Sequence, residues 1–285
     1  MSQAPDLQRQ WADAFGANPD RRRWAGSFGS DAERYDRARP HYPDALIARI
    51  VAGSPGRDFL DVGCGTGIAS RQFIAAGCSV LGVDVDARMA DVARAAGLEV
   101  EVAAFEEWDP AGRTFDAIVS AQTWHWIDPV AGAAKAAHAL APAGRLAVFW
   151  NVGRPSPEIA EAFGEVYRRT MPHLPYLHSG GRSALDAYSS GFARATDGIR
   201  QTKAFGEPEQ WRYEWERSYT RDEWLDQVST HGDHRQFPAP KLEEILAGIG
   251  AAIDSGGGTF TMGYTAVAIT ATRRLRPMNA CRVDT

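Results

Sequence analysis

Residues 59 to 68 read Phe-Leu-Asp-Val-Gly-Cys-Gly-Thr-Gly-Ile, an apolar run that enters three glycines at every second position. Glycine is required where a backbone turns sharply and lies against a ligand, because a Cβ would collide there. The next apolar run ends in Leu81-Gly-Val-Asp84 and so carries an acid at its carboxyl end. In open α/β sheets ligands sit outside the carboxyl ends of the strands, where an acid can accept hydrogen bonds from both hydroxyls of a ribose. The spacing of the glycines narrows the ligand. Dinucleotide binders place glycines as Gly-x-Gly-x-x-Gly, which aims helix backbone at a pyrophosphate. Here the order is Gly63-x-Gly65-x-Gly67, followed by Ile68. That order suits a nucleoside with no phosphate, which needs room and not a helix N-terminus aimed at an anion. Asp61, just before the first glycine, would order the loop and a bound amino group. A nicotinamide-dependent reductase would use the same acid, and the glycine spacing disfavours it.

Asp61-Val-Gly-Cys-Gly-Thr-Gly67 followed by Gly82-Val-Asp-Val-Asp86 resembles the first two motifs of class I S-adenosylmethionine (SAM) dependent methyltransferases. Tyr35-Asp-Arg-Ala-Arg39-Pro-His-Tyr-Pro43 is similar to the lead-in of a small-molecule branch that includes relatives of trans-aconitate methyltransferase. Ala121-Gln-Thr-Trp-His125-Trp126 and Leu140-Ala-Pro-Ala-Gly144 resemble that branch's fourth-strand motif and fifth-strand lead-in. The resemblance covers about residues 33 to 150. It implies SAM as cofactor and S-adenosylhomocysteine (SAH) as product. It also implies that Gly63, Gly65 and Gly67 line the methionine moiety, that Asp84 holds the ribose, and that Met89 or Val85 flanks the adenine. Phe105 and Glu106 fall where the family contacts adenine. Two departures stand out: Ala104 where many relatives carry an aspartate for the adenine amino group, and Pro142-Ala143-Gly144 where Pro-Gly-Gly is usual. The second is expected to be harmless.

Methyl transfer from a sulfonium is an in-line displacement, so the protein's main task is to align nucleophile, methyl and sulfur. An alcohol or amine acceptor also loses a proton, which a nearby base assists. His125 is the candidate for that role, because it follows the fourth strand between Trp124 and Trp126. The alternative is that it packs beside two core tryptophans. Gln122 at the strand end is a candidate cofactor contact. Tyr35 and Arg39 would close over the cofactor, Arg39 addressing the methionine carboxylate; a purely structural helix entry is the alternative. His173, His178 and the His231-x-x-His234 pair have no completing cysteine or acid pattern, so no metal site is expected.

These residues need a scaffold that sets strand ends side by side. Apolar runs at Phe59–Val62, Val80–Val83, Leu98–Val102, Phe115–Val119 and Leu146–Trp150 are continuous and not alternating, as in strands buried on both faces of a parallel sheet. Helical patterns lie between them at Ile68–Ala76, Ala87–Ala96 and Val130–Leu140, and another follows Pro43 with Leu46, Ile47 and Ile50 on one face. Alternation of this kind predicts an α/β, Rossmann-like, doubly wound sheet. Residues 153–208 read as a mostly helical cap inserted after the fifth strand. Trp211–Tyr219 alternates as a strand, Thr220-Arg-Asp-Glu223 has the form of a capping box, Lys241–Ile253 is amphipathic, and Thr259–Thr272 is a β-branched and aromatic run. The expected result is seven mostly parallel strands with an antiparallel last one. The divisions are a flexible lead-in (1–32), the SAM-binding core (33–152), the cap (153–208), closing strands and helices (209–275) and a disordered tail (276–285).

Hydrophobic residues at 44% and charged residues at 24% are those of a globular protein able to bury a full core. A net charge of -5 opposes a nucleic-acid partner, since that affinity comes mainly from cations on phosphate; Arg21-Arg22-Arg23 reads as a solvated run. Cys64, Cys78 and Cys281 are too few and too scattered for a disulfide framework, which fits a reducing cytoplasm. The first residues lack the apolar stretch of a secretion signal, and no apolar run reaches the roughly 20 residues of a membrane span. The expected partner is a small-molecule acceptor, with no membrane; monomer and homodimer remain open.

Overall fold

The computed structural model describes residues 28–173, 184–232, 234 and 237–275. The expected lead-in up to residue 27, the tail from 276, Arg21 to Arg23, His178 and Cys281 lie outside the described residues. In chain order the helices are α1 (Ala32–Ala38), α2 (Asp44–Ala52), α3 (Ile68–Ala75), α4 (Ala87–Ala95), α5 (Pro129–Ala139), α6 (Pro157–Thr170), α7 (Ala184–Thr202), α8 (Arg221–Ser229) and α9 (Ala239–Ser255). The strands are β1 (Asp58–Val62), β2 (Ser79–Asp84), β3 (Glu99–Val102), β4 (Phe115–Ala121), β5 (Leu140–Arg154), β6 (Glu209–Thr220) and β7 (Thr259–Thr272).

The strands make one sheet in the order β3-β2-β1-β4-β5-β7-β6. β7 runs antiparallel to both its neighbours, β5 and β6, and the other pairings are parallel. The order reverses between β1 and β4. That reversal opens a crevice at the carboxyl ends of those strands, where both the glycine loop and the Gln122–His125 segment emerge.

The continuous apolar runs follow from burial on both faces. Leu60, Val62, Ile118, Leu146 and Val148 pack on one side with α5 and α7. Phe59, Ala117, Val119, Ala147 and Phe149 pack on the other with α2, α3 and α4. Each such aliphatic side chain, fully buried, is worth about 1.5–3 kcal/mol relative to exposure. The edge strand β6 turns Trp211, Tyr213 and Trp215 inward and leaves Arg212, Glu214 and Glu216 exposed. Charges on that edge discourage pairing with another chain.

The stretch expected as a cap divides in two. Phe192, Ala195 and Ile199 of α7 belong to the sheet's own core, beside α5. Phe163 and Val166 of α6 join α8, α9 and the ends of β6 and β7 in a third cluster with Tyr219, Phe260 and Met262. β5 also extends into this stretch, pairing Arg154 with Gly263 of β7. The capping box at the start of α8 is present: the Thr220 hydroxyl accepts from Glu223 N at 3.3 Å, and the Glu223 carboxylate accepts from Thr220 N at 2.8 Å. No described helix is long and apolar enough to cross a membrane.

One boundary differs from expectation. The helix ends at Ala139, and β5 already begins at Leu140, six residues before the expected start at Leu146. Pro142 disfavours a helical conformation at the residue before it, so the helix cannot run on. The strand begins with an irregular step, since Phe115 pairs with Leu140 but Ala117 pairs with Arg145. Within that step Ala143 has φ of 63°, the left-handed region that favours glycine. The departure from Pro-Gly-Gly therefore carries strain of about 1 kcal/mol. Ala143→Gly should raise unfolding stability by about 0.5–1 kcal/mol, read by urea denaturation. A neutral or destabilising result would show that the turn carries no such strain.

Candidate active site

β1 delivers the chain into the glycine loop, which folds back on β2. Gly63 N and Cys64 N both donate to Val83 O, at 2.7 and 3.2 Å. Gly63, Gly65 and Gly67 all have positive φ, of 68°, 55° and 85°. At Gly63 a Cβ would also sit 2.0 Å from Thr123 Cγ2, so glycine is required there twice over. Thr123 closes that side, its hydroxyl donating to Gly63 O at 3.0 Å.

Asp84 locks the loop to the next strand. Its carboxylate accepts from Gly65 N and from Asp86 N, each at 2.8 Å. Burial raises its pKa above the usual carboxylate range, and the two backbone donors offset part of that. Each oxygen takes one backbone hydrogen and retains acceptor capacity. The carboxylate thus stands in a cavity wall able to accept from a diol.

The cavity occupies about 450 Å³ at the crevice, within the roughly 300–1,000 Å³ common for small-molecule sites. It brings together most of the residues expected from the sequence: Tyr35, Arg39, Gly63, Gly65, Asp84 and Val85 on one side, with Met89, Phe105, Glu106, Gln122 and His125. Gly67 and Asp61 do not line it; Gly67 begins α3, and Asp61 is fully buried behind the loop. Phe105 is nearly buried, its ring 6.3 Å from that of Trp124, and forms an apolar floor. The Arg39 guanidinium lies 4.9 Å over the Tyr35 ring, and its Nη2 donates to Thr230 O at 2.9 Å. Arg39 thereby joins α1 to the end of α8. Gln122 has φ of 57°, strained for a non-glycine residue, and its Nε2 donates to Asn151 O at 2.9 Å.

His125 sits in a one-turn 3-10 helix, Trp124–Trp126. Its Nδ1 accepts from Trp150 Nε1 at 3.2 Å. An indole N–H only donates, so this bond assigns the imidazole hydrogen to Nε2.

Sequence reasoning missed several wall residues. Asn151 is the most connected: its Nδ2 donates to His41 O at 2.8 Å, and its Oδ1 accepts from Trp215 Nε1 at 3.2 Å. A lone polar residue ending the apolar run Ala147-Val-Phe-Trp150 was a usable signal. Tyr188, Trp224, Gln227, Met262 and Tyr264 also line the cavity, brought there by tertiary packing that no local pattern announces. Among the described residues no group of three or more His, Cys, Asp or Glu is placed to hold a metal. His234 Nε2 lies 2.7 Å from the Tyr167 hydroxyl.

The fold and the cavity together define an α/β protein of the methyltransferase class. A family model described as a methyltransferase domain matches residues 35–255, and the chain belongs to the class I SAM-dependent methyltransferase family. It is similar to the uncharacterized methyltransferase Mb3374 of Mycobacterium bovis, 38% identical over 120 residues, 41% of this chain and 49% of that one. The chain thus spans about half the length of that relative. A malonyl-acyl-carrier-protein O-methyltransferase of Enterobacter lignolyticus is 29% identical over 247 residues, 76% of this chain and 95% of that one. A solved structure from Anaeromyxobacter dehalogenans, provisionally described as a type II methyltransferase, superposes with a TM-score of 0.60 at 23% identity, over 84% of this chain and 99% of that one. The cyclase SpnF shares the fold at a TM-score of 0.51 and 16% identity, over 90% of this chain and 98% of that one.

Behind the loop, Asp61 accepts from the Ser70 hydroxyl at 2.6 Å, and its Oδ1 has no partner. Burial, with a smaller push from Asp84, takes its pKa up to about 7, against the lowering effect of Ser70. The folded protein therefore keeps a proton that the unfolded chain releases near pH 4, so stability from this group falls as pH rises from about 4 to about 7. Asp61→Asn removes the dependence. The difference in denaturation midpoint, wild type minus variant, should fall through that window and then level off. A difference that is flat with pH would show that Asp61 ionises normally in the folded state.

Proposed function

We propose that the chain is an enzyme that binds SAM in this cavity and transfers its methyl group to an oxygen, nitrogen or carbon atom of a small molecule. The observation that carries the reading is the glycine loop bound through Gly65 N to the Asp84 carboxylate, in the wall of a cavity at the β1/β4 switch point. The residues fit the cofactor. Exposed glycine backbone at Gly63 and Gly65 would lie along the methionine moiety, with Gly67 and Asp61 ordering the loop from behind. Asp84 would accept from the ribose hydroxyls. Val85, Met89 and Phe105 make an apolar slot for adenine, with Glu106 at its edge and no acid at Ala104. Arg39, held over Tyr35, would pair with the methionine carboxylate, and Gln122 would contact the cofactor near the reacting end.

Bound SAM supplies a methyl carbon on a positively charged sulfur and leaves as SAH. The chain's contribution is alignment: a held nucleophile at the right distance and angle corresponds to an effective molarity on the order of 10⁵–10⁸ M. The walls from Trp126, Trp224, Met262 and Tyr264 would exclude water from the line of attack. His125 faces the same cavity, where the acceptor would sit. The name of the Enterobacter relative gives an oxygen acceptor on a malonyl group borne by an acyl carrier protein, which supports the oxygen atom and not the size of the acceptor. We place the protein in the cytoplasm, acting on a soluble metabolite and not on nucleic acid.

The test is incubation with SAM carrying a labelled methyl group and a small-metabolite extract, followed by separation by size. Label should move to the low-mass fraction. Label found only on protein or nucleic acid would overturn the small-molecule reading. Cofactor binding with no transfer to any fraction would favour a SAM-binding protein that does not methylate.

A further inference from the structure

The hydrogen bond between Trp150 and His125 has consequences for the acceptor. Trp150 lies within the buried part of β5 and is 1% exposed, and its ring packs 5.3 Å from that of Phe192. The indole N–H therefore cannot swing out to water. Its partner is His125 Nδ1 at 3.2 Å. A neutral imidazole has one donor and one acceptor nitrogen, and the acceptor here is engaged by Trp150. Hydrogen on Nδ1, in the other tautomer or in the imidazolium, would face N–H against N–H and strand a buried donor. A base needs a free lone pair on the nitrogen that takes the proton, and this arrangement supplies none.

The two acids in the cavity wall already accept backbone hydrogens. Both Asp84 oxygens accept backbone hydrogens, and Glu106 accepts from Asp128 N at 3.3 Å. The wall also carries His231, along with neutral hydrogen-bonding groups that include Gln122, Asn151, Gln227 and Tyr264.

We propose that Trp150 is a positioning residue that fixes His125 as the Nε2–H tautomer, so that His125 is a hydrogen-bond donor and not a base. An acceptor held by His125 is then an atom that has a free lone pair at neutral pH and no proton to surrender, such as a carboxylate oxygen or an unprotonated ring nitrogen. The lone pair of that atom forms the bond to the methyl carbon as the carbon–sulfur bond breaks, and sulfur keeps the bonding pair. No proton leaves, so no base is required. An alcohol or an ammonium group would need one, and His125 does not supply it. The inference about the acceptor rests on the methyl-transfer reading; the tautomer does not.

The tautomer is read directly. Protein labelled with nitrogen-15 histidine and loaded with SAH gives a long-range proton–nitrogen correlation spectrum, in which the two tautomers have different patterns; His125→Gln assigns the signal. His125 should show protonated Nε2 and unprotonated Nδ1, and Trp150→Phe, which keeps a ring but removes the donor, should convert it to a mixture. Trp150 is buried, so retained SAH affinity in the variant confirms that it folds; if it does not fold, the wild-type spectrum decides alone. A wild-type signal with hydrogen on Nδ1, or an unchanged pattern in a folded Trp150→Phe, overturns the positioning role. A methyl ether from an alcohol as the natural product overturns the acceptor class. Failure of SAH to bind at all would instead count against the methyl-transfer reading and leave the tautomer to be read in the unliganded protein.

Discussion

The site depends on one hydrogen bond, from Gly65 N to the Asp84 carboxylate at 2.8 Å. It joins the ends of two adjacent strands and holds in place, before any ligand arrives, the turn and the acid that a nucleoside would touch. Bonds of this kind, with an ionised acceptor, are worth about 1.5–3 kcal/mol. The bond can form only because Gly63, Gly65 and Gly67 adopt positive φ. A side chain at Gly63 would strike Thr123, which itself donates to Gly63 O. Loop, acid and fourth-strand end therefore form one unit. The register of β1 between β2 and β4 sets its dimensions.

Around that unit, burial and function are divided cleanly along each strand. The central residues of β1, β4 and β5 are mostly apolar and make the core on both faces of the sheet. The carboxyl-terminal residues Gln122 and Asn151 are polar and held by one another through the Gln122 Nε2 bond to Asn151 O. Asn151 also reaches His41 and Trp215, so a single side chain ties the segment before α2 and the edge strand β6 to the cavity. Arg39 does the same for α1 and α8. The second half of the wall, from Trp224 to Tyr264, rests on the separate cluster built by α6, α8 and α9. The glycine-loop side and the wall opposite it therefore rest on separate clusters of the core.

Much of the cofactor side was legible in the sequence because its signals are local. Glycine at fixed spacing, an acid at a strand end and unbroken apolar runs each reflect a constraint felt within a few residues. The seven strands and the capping box at Thr220 came through for the same reason. What failed to show was long-range. Leu140 belongs to a strand and not to a helix because Pro142 and a pairing step against Phe115 decide the boundary. The stretch 153–208 looked like one inserted cap, yet α7 packs on the sheet while α6 joins α8 and α9. His125 was visible as a candidate, but its tautomer was not, because Trp150 lies 25 residues away and meets it only in the fold. Gly67 and Asp61 were expected at the cofactor, and the fold places both behind the cavity wall.

The central claim is that the cavity is shaped for a sulfur nucleoside and not for a dinucleotide. Isothermal titration of the purified protein with SAH, and separately with NAD, tests it most directly. The account predicts saturable binding of SAH, with a stoichiometry of one per chain, and no heat of binding from NAD. Saturable binding of NAD with none of SAH would contradict it and return the glycine loop to dehydrogenase chemistry.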